Sequence, residues 1–373
     1  MTKSLVYITC YLLAILLCAC QDQVPQGELV TVNVFKNYPR QEYVLQDVAQ
    51  IDYVALETTD DFLVVRGLRY VGEKEIIMTV KGTFYLFDRK TGKAKHHFSR
   101  QGRGDQEYTS ASSVICDENE IFVFPYGGDR IQIYTHLGDF LRSLSVPPGV
   151  TEIENVNAQS LVAYNESQLK PYILLSKSDG RLLDTLPLRV PTKIDPTYSR
   201  RGGTTTYIYP MGLASYPRGA LLSDISVDTL YAYTSGGKLS PLLARTPSIL
   251  KQEMSDRIFL YPASDVGRFM LFYLSPLTVD VHGFGIDRCY ALDRQSGKIV
   301  EPVFLHKDFL LAREMELGSV ASFGKIDAVH VLPADVLCVA YEDGLLQGKL
   351  KEIASGLKED DNPVLMFVNF NGF

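Results

Sequence analysis

Along the chain, runs of aromatic and β-branched residues interleave with polar positions at a period of two, the pattern of β-strands. The clearest runs come in pairs around a glycine. "TFYLFDRKTGKAKHHF" (Thr83 to Phe98) and "RCYALDRQSGKIVEPVF" (Arg288 to Phe304) share an apolar run, the motif Asp-Arg-x-(Ser/Thr)-Gly-Lys and a second run. Asp88 corresponds to Asp293, and Gly92 to Gly297. Weaker copies turn at Gly138, Gly180 and Gly237, and the chain ends on "VLMFVNFNGF", the same run broken off at Gly372. A glycine suits such a hairpin because it adopts a positive φ without steric cost.

Six turns predict six units. They stand 42 to 75 residues apart, against about 40–50 residues for a propeller blade, so the later blades carry insertions. Each unit also has an upstream strand pair, seen best in "SSVICDENEIFVFPYGGDRIQIY", where "DENE" separates two runs. Four strands per unit and six units give an all-β fold, a six-bladed β-propeller with four-stranded blades. A β-sandwich is the second reading, but near-identical hairpins so far apart in the chain fit radial repetition better. The last unit stops after its third strand. The N-terminal region holds two spare strands, "ELVTVNVF" and "QIDYVALET". One of them is expected to close the ring and remove an open edge. One stretch breaks the β pattern: in "GLLQGKLKEIASGLKEDDN", Leu346, Leu350, Ile353 and Leu357 recur at helical spacing. This predicts one short helix on the outside of the last blade, between its second and third strands.

Composition adds little to this picture. With 46% hydrophobic and 22% charged residues, the chain is not disordered, and a net charge of −7 argues against nucleic acid as a partner. The first residues add more. In "MTKSLVYITCYLLAILLCAC", Lys3 precedes an uncharged apolar stretch, and a small residue stands before the cysteine in Leu17-Cys18-Ala19-Cys20. The stretch is shorter than the ~20 residues that a membrane-spanning helix needs. It reads as a bacterial lipoprotein signal over residues 1–19, cut before Cys20, whose thiol then carries the lipid. Residues 20–28 form a tether and residues 29–373 a single propeller domain. Gln21 follows the cysteine, where an aspartate would retain the protein in the inner membrane, so the outer membrane is expected, facing the periplasm or the surface. Cys116, Cys289 and Cys338 remain, each in an apolar run, and are expected to be buried free thiols.

Three stretches carry a family resemblance. "DYVALETTDDFLV" is similar to an opening strand of the form Ile-Pro-Leu-Glu-Thr-Thr, "GRGDQEY" stands where Gly-x-Gly-Pro-Gly-Glu-Tyr is usual, and "NPVLMFVNF" matches a closing strand. On these the mature chain resembles the six-bladed β-propeller lipoproteins abundant in Gram-negative gut anaerobes, which are related in blade pattern to NHL-repeat proteins. The resemblance implies a fold and a surface location, and no established chemistry. It also makes Gly102 to Tyr108 a corner between two blades, although Arg103-Gly104-Asp105 spells a cell-attachment tripeptide. In that corner Gly104 is expected to need a backbone conformation that a side chain penalises.

The search for chemistry starts from six histidines. His282 and His330 alone lie on segments that approach a central channel. A zinc lyase of the kind found among some NHL-type propellers would need more ligands than these two. No nucleophile elbow, P-loop or calcium-binding loop is present. No catalytic residue and no cofactor is therefore assigned, with zinc or calcium kept for the alternative. The most unusual loop is "YSRRGGTTTYIYP". Its Tyr198, Arg200, Arg201 and Tyr207, together with Arg103, are the ligand-binding candidates, because flat rings stack on sugars and guanidinium forks bind oxygen pairs. As a plain insertion the loop would do neither. The expected function is a non-enzymatic binding propeller, held to the membrane by its lipid, with a glycan, peptide or protein partner. The alternative is a channel-centred metal-dependent lyase or hydrolase.

Overall fold

The computed structural model describes residues 29–372, apart from 126, 195–196, 200–204, 208–211, 254–256, 277–278, 281–282, 285–287, 312, 319–320 and 323–325. Thr31–Phe373 form one compact unit. In five of the six repeats, the predicted runs fold into four antiparallel strands in chain order. Blade one is Leu68–Val71, Glu75–Val80, Thr83–Asp88 and Ala94–Ser99; blade two is Ser113–Cys116, Glu120–Phe124, Arg130–Thr135 and Phe140–Ser145. Blade three is Glu152–Asn155, Ser160–Tyr164, Tyr172–Ser176 and Leu182–Thr185; blade four is Leu213–Tyr216, Gly219–Leu222, Thr229–Thr234 and Leu239–Thr246. Blade five is Ile258–Val266, Phe269–Pro276, Arg288–Asp293 and Lys298–His306. The first strands of blades one to five touch one another in turn, which places them innermost in a six-bladed β-propeller. All six predicted turn glycines have φ between +68° and +86°. At Gly92 the need is doubled, since a Cβ there would also stand 1.9 Å from the Ala55 carbonyl oxygen.

The sixth blade is closed by the N-terminal region. Ala328–Leu332 pairs with Val364–Phe370, and Val364–Phe370 pairs with Ala49–Ala55 in unbroken antiparallel register from Ala49↔Phe370 to Ala55↔Val364. The innermost place is held by a bridge between Gly318 and Val329. Of the two spare strands, "QIDYVALET" therefore closes the ring. "ELVTVNVF" does something else: its Val30–Asn33 segment lies along the outer strand of blade four. A further strand, Arg40–Val44, runs parallel to the outer strand of blade five.

The spacing predicts one helix between the second and third strands of the last blade, and two are present. A four-residue helix, α1 (Leu45–Val48), precedes the closing strand; α2 (Ala334–Glu342) and α3 (Gly348–Ala354) fill the insertion. Leu346 and Leu350 are buried as their spacing predicts. The helix that the pattern does not announce is α2, "ADVLCVAYE". It buries Ala334, Leu337, Cys338 and Ala340 and exposes Val339 and Tyr341. Nine residues of mostly apolar sequence do not separate a period of 3.6 from a buried strand. Cys116 and Cys338 are buried free thiols, whereas Cys289 is only half-buried.

Among the described residues the hydrophobic core is divided into clusters, one at each interface between neighbouring blades. Blade two shows how. In its second strand, Ile121 and Val123 join Ile77 and Leu86 of blade one, while the alternate residues Phe122 and Phe124 join Leu161 and Leu175 of blade three. A middle strand thus has no solvent face, and it reads as a continuous apolar run. Only outer strands such as Ala94–Ser99 alternate half-buried with exposed positions.

A polar lock holds the closing strand to blade five. The buried His306 accepts the Asp308 N–H at Nδ1 (3.0 Å), so its proton sits on Nε2, 2.6 Å from the Tyr53 oxygen. Tyr53 in turn donates to Asp308 Oδ2 at 3.0 Å. Burial holds the His306 pKa below its ordinary value, against the opposing pull of the Asp308 charge.

Candidate functional site

Cys20, Arg200, Arg201 and His282 lie outside the described residues. The loop that carries Tyr198 and Tyr207 forms a small hairpin between blades three and four, in which Thr197–Ser199 pairs with Thr205–Tyr207. His330 is on the second strand of the sixth blade. Its Nδ1 lies 2.6 Å from the Glu316 carbonyl oxygen, and burial lowers its pKa. It faces a cavity of about 960 Å³ between blades five and six. Two of that cavity's cations are occupied by the protein itself: Arg40 pairs with Glu314, and Arg288 donates to Asn37 and to the Val34 carbonyl.

Arg103 is exposed in the corner loop and lines neither that cavity nor the one among the inner turns. The corner is pinned through its backbone. Gly102 N–H donates to Tyr108 O (3.1 Å), Gln132 donates to the carbonyls of Asp105 and Glu107, and Tyr134 donates to that of Gln106. The expectation for Gly104 is corrected. It has no left-handed φ, and a Cβ there would meet only the flexible Glu107 side chain, at 3.1 Å. Gly102 is the tighter position, where a Cβ would stand 1.8 Å from that carboxylate.

The cavity with uncommitted chemistry opens around the innermost turns of the ring. About 510 Å³ in volume, it is lined by Tyr70 of blade one and by the turns between first and second strands of blades two, three and four, with Lys177 and Ser235 from the turns between third and fourth strands of blades three and four. These turns put one polar side chain after another on the same rim: Glu118 from blade two, Glu154 and Asn155 from blade three, Arg218 from blade four. Tyr70 is 4% exposed, yet its hydroxyl has no hydrogen-bond partner. Burial, followed by the Glu118 and Asp117 charges, raises its pKa. The buried Asn155 Oδ1 also has no partner. Buried polar atoms in native structures are normally satisfied, so two orphans on residues that line one cavity are unusual.

Charge in the cavity is unevenly committed. Burial pushes the Asp117 carboxyl up, but Lys177 Nζ at 2.8 Å more than offsets this and holds it below the ordinary range. Glu120 is paired with Arg142. Glu154 has only the N–H of Asn155 (2.7 Å) among the described residues, and burial lifts its carboxyl to about 7. Two residues earlier on the same strand, Glu152 is also raised to about 7 by burial, but its role is structural. It accepts the N–H groups of Gly212 and Leu213 and ties blade three to blade four. Sequence reasoning missed Tyr70, Glu154 and Asn155. The available signal was "TEIENV", which places two glutamates on an innermost strand where blade two has "SVIC". Among the described residues no three His, Cys, Asp or Glu side chains come together as metal ligands, and no helix is long and apolar enough to cross a membrane.

Fold and cavity define a six-bladed β-propeller with a polar pocket among the inner turns of one part of the ring. The chain belongs to the DUF4934 family, a domain of unknown function, which matches residues 29–245. Among solved structures it is similar to a protein of Bacteroides fragilis NCTC 9343 described as exported, with 15% identity, 92% of this chain and 100% of that one covered, and a TM-score of 0.63. It is also similar to a member of the DUF4221 family from Bacteroides vulgatus ATCC 8482, with 9% identity, 87% and 99% coverage and a TM-score of 0.47. No curated protein matches the chain.

Proposed function

We propose that this protein is a non-enzymatic binding propeller held at the cell envelope by a lipid on Cys20, and that the inner-turn pocket is its ligand site. The observation that carries the reading is the pair of orphaned buried atoms, Tyr70 Oη and Asn155 Oδ1, on residues that line a cavity whose Glu154 has no cationic partner within bonding distance among the described residues. A rigid ring that presents unsatisfied polar groups in a concave site is suited to capture rather than turnover. The lipobox Leu17-Cys18-Ala19-Cys20 and the likeness to a Bacteroides protein described as exported support the envelope location, with the outer membrane as the compartment.

Two measurements test this. The purified full chain is screened by saturation-transfer NMR against neutral sugars, amino sugars and amino acids, beside Ala158→Trp, which plugs the cavity from an exposed rim position. At least one ligand is expected to bind the wild type and not the plugged variant; the same response from both would remove the pocket from the proposal. In cells, Cys20→Ala is expected to abolish fatty-acid labelling and to move the protein out of the membrane fraction. A variant that stays in the membrane fraction and still labels would disprove the anchor.

A further inference from the structure

We infer that the inner-turn pocket binds a protonated amine, received by the Glu154 carboxylate, the Asn155 side-chain oxygen and the Tyr70 hydroxyl. This rests on the reading of that pocket as the ligand site and specifies what enters it.

The first ground is the direction of the unmet hydrogen bonds. A carboxylate and an amide oxygen only accept, and a tyrosine hydroxyl accepts as well as donates. Asn155 Oδ1 and the hydroxyl of Tyr70, a residue only 4% exposed, are both without partners. Glu154 is engaged by a single backbone N–H. The complement of this wall is a group with several donors, and an ammonium carries three. The second ground is charge. Four acids, Asp117, Glu118, Glu120 and Glu154, line the cavity with two bases, Lys177 and Arg218. Lys177 is spent on Asp117, and Glu120 is held by Arg142 from outside the lining. The Lys177 charge also reaches Glu154 without bonding to it, and Arg218, the other base of the lining, is exposed. The uncommitted charge is negative. The third ground separates an organic cation from a metal ion. A metal would require converging ligands, and among the described residues no three His, Cys, Asp or Glu side chains provide them. The rings of Tyr70 and Tyr216 in the same lining suit an organic ammonium, which is attracted to aromatic faces.

The site also has a pH signature. Burial lifts the Glu154 carboxyl to about 7, so in the empty pocket a fraction of it is protonated and neutral near neutrality. An ammonium favours the ionised form. Amine binding therefore tightens as pH rises from 6 to 8, as long as the amine itself stays protonated, which a lysine side chain does.

The amine can belong to an amino-acid side chain or to an amino sugar, and calorimetric titration of the purified full chain distinguishes them. The probes are Nα-acetyl-lysine methylamide and glucosamine, each beside its N-acetylated counterpart, which keeps the skeleton and loses the charge. At least one amine is expected to bind, and its acetylated form to bind about tenfold more weakly or worse. Glu154→Gln is expected to weaken the amine by a similar factor and to flatten the pH dependence of the lysine probe. Tyr70→Phe, which keeps the ring, is expected to weaken it by a few-fold. Unchanged circular dichroism in both variants separates lost binding from lost folding, and Ala158→Trp gives the plugged reference. Equal or tighter binding of the acetylated probes, indifference to Glu154→Gln, or no binding of either amine overturns the inference. If neutral sugars bind in the wider screen and the plug abolishes that signal, the pocket remains a ligand site for another class. Silence across the whole screen removes both readings.

Discussion

Deletion of Ala49–Ala55 is expected to abolish the cooperative unfolding transition, whereas deletion of Val30–Asn33 should only lower its midpoint. The first segment is the outer strand of the sixth blade, paired along its full length with Val364–Phe370. Its Ala49 and Tyr53 belong to the core between blades five and six, and its Val54 to the core between blades six and one. Without it, two of the six interfaces lose apolar residues at once, the His306–Tyr53–Asp308 lock is broken, and an apolar strand edge is opened. The second segment only lies along the outside of blade four. A milder probe acts at the same seam. Gly92→Val places a Cβ against the Ala55 carbonyl at a φ of +69° and should cost about 3 kcal/mol, the upper end for left-handed strain, because the clash adds to it. Thermal and urea unfolding followed by fluorescence provide the readout. A sharp, unshifted transition in the Ala49–Ala55 deletion would show that the ring does not depend on this closure.

Asp293→Ala is expected to destabilise the protein by about 3–5 kcal/mol, the range for breaking a buried pair by removing one partner. The Asp293 side chain is 1% exposed, and Arg268 donates to both of its oxygens, at 2.9 and 2.8 Å. Tyr43, Ser296 and the Gln295 N–H add to the same carboxylate. Burial works to raise its pKa, but the Arg268 pair and these bonds prevail and lower it. Its contribution is thus complete above the unfolded carboxylate value of about 3.9 and is lost as pH falls below that through the lower folded value. Asp88 occupies the same place in the same motif and should behave differently. It is on the surface and serves its own turn, accepting from the N–H groups of Lys90 and Thr91 and the Thr91 hydroxyl. Asp88→Ala should leave the urea midpoint close to that of the wild type. Equal losses for the two alanine variants would refute this distinction between a buried and a solvated copy.

The same contrast explains what could be read from the letters. The turns were legible because a left-handed residue at a fixed hairpin position selects glycine in every unit. The need for a closing strand was legible too, because the last unit ends at Gly372 with a strand to spare at the other terminus. Which of the two candidates would close the ring was not, since both "ELVTVNVF" and "QIDYVALET" are short apolar-polar alternations and each finds a blade strand to pair with. The pocket was invisible for a different reason. Tyr70, Glu118, Glu154 and Arg218 come from four blades and are unremarkable in isolation; only the inward convergence of the innermost strands and their turns makes them one surface. The arginine-rich insertion drew notice because its composition is local.

The closing strand also orders events in time. Ala49 and Phe370 are partners, so the ring cannot be sealed until Val364–Phe370 has been made. Until then an early-made strand has no companion on the side that Val364–Phe370 will cover, and blade one is exposed on the face that blade six will bury. Such distant pairing forms slowly and leaves intermediates with open apolar edges. The nascent protein therefore carries an unpaired closing strand for most of its synthesis, and a chain halted before Val364 cannot seal the ring.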